Sequence, residues 1–266
     1  MYLDYWKFEK YPFDNVPDPN FFYLSKAHEE GLARLLYAAE RGKGCALLSG
    51  NIGCGKTTLS EVLLQKISKE RFEIGTISNP SLGPKQFLQE VLYSLDVTPV
   101  PDKKVEILRV LKNRLEENLE KNKETLLIID EAQMVTKQTL EEIRLLLNFQ
   151  SGNRFLLTIF LLGQPELLQK IKTIKQLEQR IAVKYCLTPF NLQETMKYIF
   201  FRQEKAGGSQ NLFSRDAIEM VYDHTQGLPR MINHLCDLAL LIGSDERRTL
   251  INLDIIKDIL DDGTIF

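Results

Sequence analysis

The chain predicts an α/β fold: a parallel five-stranded sheet flanked by helices, followed by a small all-helical C-terminal domain. Three observations carry this. Short apolar runs alternate with helix-patterned segments as far as about residue 188, the signature of a parallel layered domain. From about residue 190 onward every periodic segment has helical spacing. Between the first apolar run and the helix-patterned segment after it stands a glycine-rich turn, Gly50-Asn51-Ile52-Gly53-Cys54-Gly55-Lys56-Thr57-Thr58. The predicted division is an aromatic, proline-rich arm over 1–24, an α/β core over 25–190 and a helical domain over 191–266.

Composition bounds the chemistry. The 266 residues are 44% hydrophobic and 26% charged, the balance of an ordinary globular protein. A net charge of −2 and a pI near 6.0 give no global pull toward nucleic acid or anionic lipid. The four cysteines, Cys45, Cys54, Cys186 and Cys236, form no C-x-x-C pair. That argues against a zinc site or disulfide framework and for a reducing cytosol. No apolar run approaches 18 residues and the N-terminus has no signal-peptide pattern, so the expectation is a soluble, cytoplasmic chain.

Taken in order, residues 1–23 hold nine aromatics, with Pro12, Pro17 and Pro19 breaking regular structure. An arm this apolar is expected to pack across the α/β core. Part of it would line a purine pocket, or it would simply fill space. Residues 25–41 read as a helix capped by Ser25, with Leu32, Leu35, Leu36 and Ala39 inward. Cys45–Ser49 reads as a buried strand. After the turn, residues 59–67 are helical. Phe72–Ser78 alternates as a strand, and 84–95 is a helix with Phe87, Val91 and Leu92 on one face. Residues 103–123 form a charged helix whose expected stripe is Val105, Leu108, Leu111 or Lys112, Leu115 and Leu119. Leu126–Ile129 is a fully buried parallel strand ending in two acids, Asp130 and Glu131. Lys137–Phe149 is helical, Phe155–Leu162 is a continuous strand, and one or two helices span 165–180. Val183–Leu187 is a short last strand. Helices then fall near 192–206, 214–224, 228–243 and 253–261.

The glycine-rich turn fits G-x-x-x-x-G-K-[ST], the P-loop pattern, in the strand–turn–helix setting that phosphate binding needs. Glycines let backbone N–H groups close around phosphate oxygens, and the helix N-terminus adds a positive dipole end. Lys56 can reach the β- and γ-phosphates of ATP, and Thr57 can ligate Mg²⁺. Asp130, at a strand end, can hold the Mg²⁺ hydration shell, and Glu131 can orient water for in-line attack. The competing reading of this acid pair is a cap for the next helix. Cys54 is read as a small residue filling a tight turn, and His28, His224 and His234 as structural.

P-loop, Leu126-Leu127-Ile128-Ile129-Asp130-Glu131-Ala132-Gln133 and the helical C-terminal part together resemble an AAA+ ATPase. Tyr11-Pro12-Phe13, Pro17-Asp18-Pro19 and Phe22-Tyr23-Leu24 resemble the opening of the general secretion pathway protein A (ExeA-like) ATPases. Leu161–Leu167 resembles their sensor-1 region, and Gly227-Leu228-Pro229-Arg230-Met231-Ile232-Asn233 their sensor-2 motif. The resemblance covers nearly the whole chain. It implies that Gln164 is the sensor-1 polar group and Arg230 the sensor-2 arginine. Arg180 would be an arginine finger supplied to a neighbouring subunit, and Asn79 would hold Glu131 inactive until a partner binds. It further implies an ATP- and Mg²⁺-dependent ATPase that assembles as a homo-oligomeric ring or arc and acts on a secretion-apparatus partner protein. Members of that family continue into a membrane span and a periplasmic wall-binding domain, and those functions are not carried onto these residues. Two rivals stand beside this reading. One is a DNA-associated regulator of the transposition-ATPase type, disfavoured by the balanced charge. The other is a small-molecule kinase, which the helical C-terminal domain fits poorly.

Overall fold

The computed structural model describes residues 2–263. The chain opens with a short helix α1 (Tyr2–Trp6), followed after a 3₁₀ turn at Pro19–Phe21 by α2 (Lys26–Glu40). Then come β1 (Cys45–Gly50), α3 (Lys56–Lys66), β2 (Phe72–Ile77), α4 (Pro84–Ser94), α5 (Lys104–Glu120) and β3 (Glu124–Ile129). A 3₁₀ turn at Ala132–Met134 leads to α6 (Lys137–Leu146), a two-residue hairpin β4 (Gln150–Ser151) and β5 (Arg154–Phe155), then β6 (Leu157–Gly163), α7 (Glu166–Lys172), α8 (Lys175–Arg180) and β7 (Ile181–Leu187). The remainder is helical: α9 (Leu192–Lys205), α10 (Arg215–Thr225), α11 (Pro229–Asp245) and α12 (Leu253–Asp261). These residues form two compact units. One takes Ala27–Asn51 and Leu59–Leu187; the other takes the residues up to Lys26, Ile52–Thr58 and those from Thr188 on.

The α/β unit is built on a five-stranded sheet in the order β2-β3-β6-β1-β7, with every pairing parallel. Parallel strands covered on both faces bury every position, and β1 and β6 are buried along their whole length. Phe87, Leu88, Val91 and Leu92 of α4, Leu140 and Ile143 of α6 and Leu177 of α8 complete an aliphatic core. Two expectations are corrected here. The run at 155–162 is not one strand: Gly152 takes a left-handed φ of +57° in the β4–β5 turn, and β6 starts only at Leu157. The inward stripe of α5 is Ile107, Leu111, Leu115 and Asn118, while Val105 is 80% exposed. A buried polar group sets that rotation. Asn118 donates to Glu73 and to Thr125 Oγ1 (2.9 Å), and Arg114 pairs with Glu73, which raises the guanidinium pKa.

The helical unit closes around the start of the chain. Its core contains Tyr2, Trp6, Phe8, Phe13 and Phe21 together with Phe190, Tyr198, Phe213, Ile232, Leu235 and Ile255. The expectation that the arm packs across the α/β core is therefore corrected: these arm side chains are core residues of the helical unit. The first proline is Pro12, so nothing prevents α1 from forming before it. Polar ties run along α11. Asn233 Nδ2 donates to Asn15 Oδ1 (3.1 Å), Tyr2 donates to Asp237, and the Trp6 indole donates to the Leu240 carbonyl (2.8 Å). The buried Arg202 guanidinium donates to the carbonyls of Pro12 and Asp14 (2.8 Å to the latter) and to the Tyr198 hydroxyl (3.1 Å). Side-chain caps start the helices: Asn191 and Glu194 form a capping box on α9, and Ser214 and Asn252 cap α10 and α12.

Candidate functional site

In the α/β unit the chemistry collects at the C-terminal ends of adjacent strands, where open parallel sheets bind ligands. The register aligns Leu47 of β1 with Leu161 of β6, and Leu161 with Ile129 of β3. Gly50 and Asn51, the first residues of the glycine-rich turn, thus leave the sheet one strand from Gln164 and two strands from Asp130 and Glu131. Sequence-distant residues that were singled out for ATP chemistry share one edge of the sheet.

The acid pair has a defined local geometry. Glu131 takes a left-handed φ of +50° and donates its N–H to Asp130 Oδ1 at 2.8 Å. The 3₁₀ turn that follows brings Gln133 back, and its amide donates to the Glu131 carboxylate. The Gln164 N–H donates to Gln133 Oε1 at 3.1 Å. Lys170 of α7 donates to the Gln133 carbonyl and, at 3.5 Å, to that of Val135. Asn79, expected to hold Glu131, is exposed; the amide on that carboxylate belongs to Gln133, which closes the Leu126–Gln133 motif. Its signal was there as an amide two positions beyond the acid, too close in sequence to suggest a tertiary contact.

In the helical unit the turn itself, Ile52–Thr58, meets the first turn of α11. The Arg230 N–H donates to the Gly53 carbonyl at 3.3 Å. A Cβ on Gly53 would lie 2.7 Å from the Arg230 Cβ, and Gly53 has a φ of +76°, so this approach requires glycine. Gly55 has a φ of +89°. Lys56 and Cys54 are buried, Ile52 and Thr57 are exposed, and Thr58 is half-buried. The Arg230 side chain is exposed, on the helix turn that contacts the loop.

Arg180 is not brought to the strand-end cluster. It ends α8 immediately before Ile181, which pairs with Cys45 at the start of β1, at the opposite end of the sheet from Gly50. Its guanidinium donates to the Arg144 carbonyl at 3.5 Å. Thr57 and Asp130, the residues singled out for Mg²⁺, offer a hydroxyl and a carboxylate, hard oxygen donors of the kind Mg²⁺ takes. Among the described residues no cluster of three or more His, Cys, Asp or Glu could hold a metal by itself, and no helix is long and apolar enough to cross a membrane.

Residues 39–171 match the AAA domain family. General secretion pathway protein A of Aeromonas hydrophila is 36% identical over 244 residues, 91% of this chain and 44% of that protein. The chain thus spans less than half the length of this relative. Among solved structures, the Aeropyrum pernix ORC2 protein in its ADPNP–ADP complexes aligns with a TM-score of 0.70 at 18% identity, covering 96% of this chain and 72% of that one. The Drosophila ORC bound to DNA aligns with a TM-score of 0.71 at 16% identity, covering 98% and 65%. At these identities the structural likeness speaks for the fold, while the family match spans half of the chain. The protein belongs to the AAA domain family and is an AAA+ ATPase, similar along most of its length to general secretion pathway protein A.

Proposed function

We propose that this ATPase binds and hydrolyses Mg-ATP and uses the cycle to drive assembly or transport of secretion-system components. The observation that carries the hydrolytic part is the shared strand-end edge, which sets Gln164 and the Asp130–Glu131 pair beside the strand leading into the P-loop. The backbone N–H groups of Gly50–Thr58 cradle the phosphates, and Lys56 neutralises the β- and γ-phosphate charge. Glu131 orients the attacking water, Gln164 responds to the γ-phosphate, and Arg230 answers to the nucleotide state from α11. The bound Mg²⁺, assigned to Thr57 and Asp130 by the motifs in which they stand, supplies charge neutralisation when present. Arg180 lies at the far end of β7 from its own chain's strand-end cluster. That supports a role as a finger on the nucleotide of a second copy, and hence hydrolysis that depends on a homo-oligomeric ring or arc. The secretion role rests on the likeness to general secretion pathway protein A, and a cytoplasmic setting on four free cysteines.

A second reading, an AAA+ regulator acting on DNA, draws on the fold likeness to the Drosophila ORC bound to DNA. One experiment separates the two. The solution mass of Glu131→Gln, which keeps nucleotide bound, is measured by light scattering in Mg-ATP with and without duplex DNA. A mass increase with ATP alone supports the self-assembling secretion motor. An increase only with DNA moves the assignment to the second reading. A monomer in both removes the support for Arg180 acting in trans.

A further inference from the structure

The clamp on Glu131 has a feature that the AAA+ assignment does not call for. The Gln133 side chain is 9% exposed and held at both ends of its amide: Nε2 donates to the Glu131 carboxylate, and Oε1 accepts the Gln164 N–H at 3.1 Å. The two partners leave one orientation of the amide, because a carboxylate can only accept and a backbone N–H can only donate. The space for it is reserved. A Cβ on Gly163 would come within 2.9 Å of Gln133 Oε1 and 3.2 Å of its backbone N, so any residue but glycine at the end of β6 would collide with the clamp. Lys170 holds the Gln133 backbone from the carbonyl side.

We propose that Gln133 is a positioning residue for the Glu131 base and the link between that base and the sensor strand. This rests on reading Glu131 as the group that orients water. The amide occupies one carboxylate oxygen and fixes the plane of the group, leaving the second oxygen to take the water. Because the other end of the same amide is held by the Gln164 backbone, a shift of Gln164 on meeting the γ-phosphate moves the base with it. The base is then aligned only when the sensor strand is, which ties water activation to the presence of a triphosphate.

The test compares steady-state kcat and KM for ATP in the whole chain for wild type, Gln133→Glu, Gln133→Met and Glu131→Gln. Gln133→Glu has the same shape and can still accept the Gln164 N–H, but it takes away the donor that the Glu131 carboxylate receives. It therefore lowers kcat about tenfold or more with KM nearly unchanged. Gln133→Met loses both ends of the amide and lowers kcat at least as far, again with KM nearly unchanged. Wild-type kcat in Gln133→Glu, or a loss carried by KM, overturns the positioning role while Glu131→Gln stays inactive. Wild-type turnover in Glu131→Gln instead removes the base assignment itself. Should Gln133→Met fail to fold, the isosteric Gln133→Glu alone decides the matter.

Discussion

The two units are made of different materials. The α/β unit is held by an aliphatic core in which Phe87 sits among leucines and isoleucines, and its polar groups of consequence stand at strand ends. The helical unit is held by aromatic edges and by a buried polar lattice. Tyr23 meets Phe190 at 5.6 Å between centroids, Phe13 meets Phe213 at 6.0 Å, and Arg202 ties two backbone carbonyls of the arm. The lesson is that the first kind of core frees its strand termini for chemistry. The second spends its polar groups on holding distant pieces of chain together, because the irregular stretch of the arm between α1 and the 3₁₀ turn has backbone groups that need partners.

The contrast can be broken in order of effect. Lys56→Ala is expected to lower ATP turnover by about a hundredfold or more, with circular dichroism and the emission of Trp6, the single tryptophan, unchanged; a lost fold would mean that the loop lysine is part of a core. Next come the cores themselves. Phe87→Ala should cost about 3–5 kcal/mol and shift the denaturation midpoint seen by circular dichroism. Arg202→Ala should cost about 2–3 kcal/mol, because the Pro12 and Asp14 carbonyls lose their donor, and should shift the midpoint seen by Trp6 emission. If Trp6 answers equally to both, the units unfold as one. Alkali gives a smaller and graded effect. Burial pushes the Cys45 thiol up to about 12, and burial also raises the phenols of Tyr2 and Tyr198 and the thiol of Cys236. Each folded value lies above the unfolded one, so the stability from these groups is complete below about pH 9 and is lost as pH rises through the folded values. Three of the four belong to the helical unit, so the Trp6 midpoint should fall faster with pH than the circular dichroism midpoint. Last, Arg34→Ala, which removes an exposed i,i+4 pair with Glu30, should change stability by no more than about 0.5 kcal/mol.

The strands were legible because a buried parallel strand is a run of apolar residues, and Leu126–Ile129 or Leu157–Leu162 can hardly be anything else. The loop was legible because its turn takes positive φ at Gly53 and Gly55, which needs glycine; that Gly53 would meet the first turn of α11 at Arg230 was not written in the spacing. The arm's partner was not legible. Nine aromatics say that a segment is buried, not against what, and the partners of Tyr2 and Trp6 lie more than 200 residues away. The rotation of α5 was hidden for a related reason: apolar periodicity cannot see that Asn118 is an inward residue whose amide has been given two partners. Gln133 was missed because its role depends on a left-handed Glu131 and a tight 3₁₀ turn, and neither leaves a mark in composition.

The arm lies along α11 as a splint lies along a bone. Its ties descend the helix from Asn233 through Asp237 to Leu240, and Tyr5 reaches the Arg248 carbonyl beyond the helix end. A helix of 17 residues is a stiff rod about 25 Å long, with Gly53 of the glycine-rich turn hydrogen-bonded at its first turn. A tilt of about 5° at Arg230 would displace the far end by about 2 Å. The lever and its splint would swing together, so a displacement of the glycine-rich turn would be felt at Tyr2 and Tyr5, at the other end of α11.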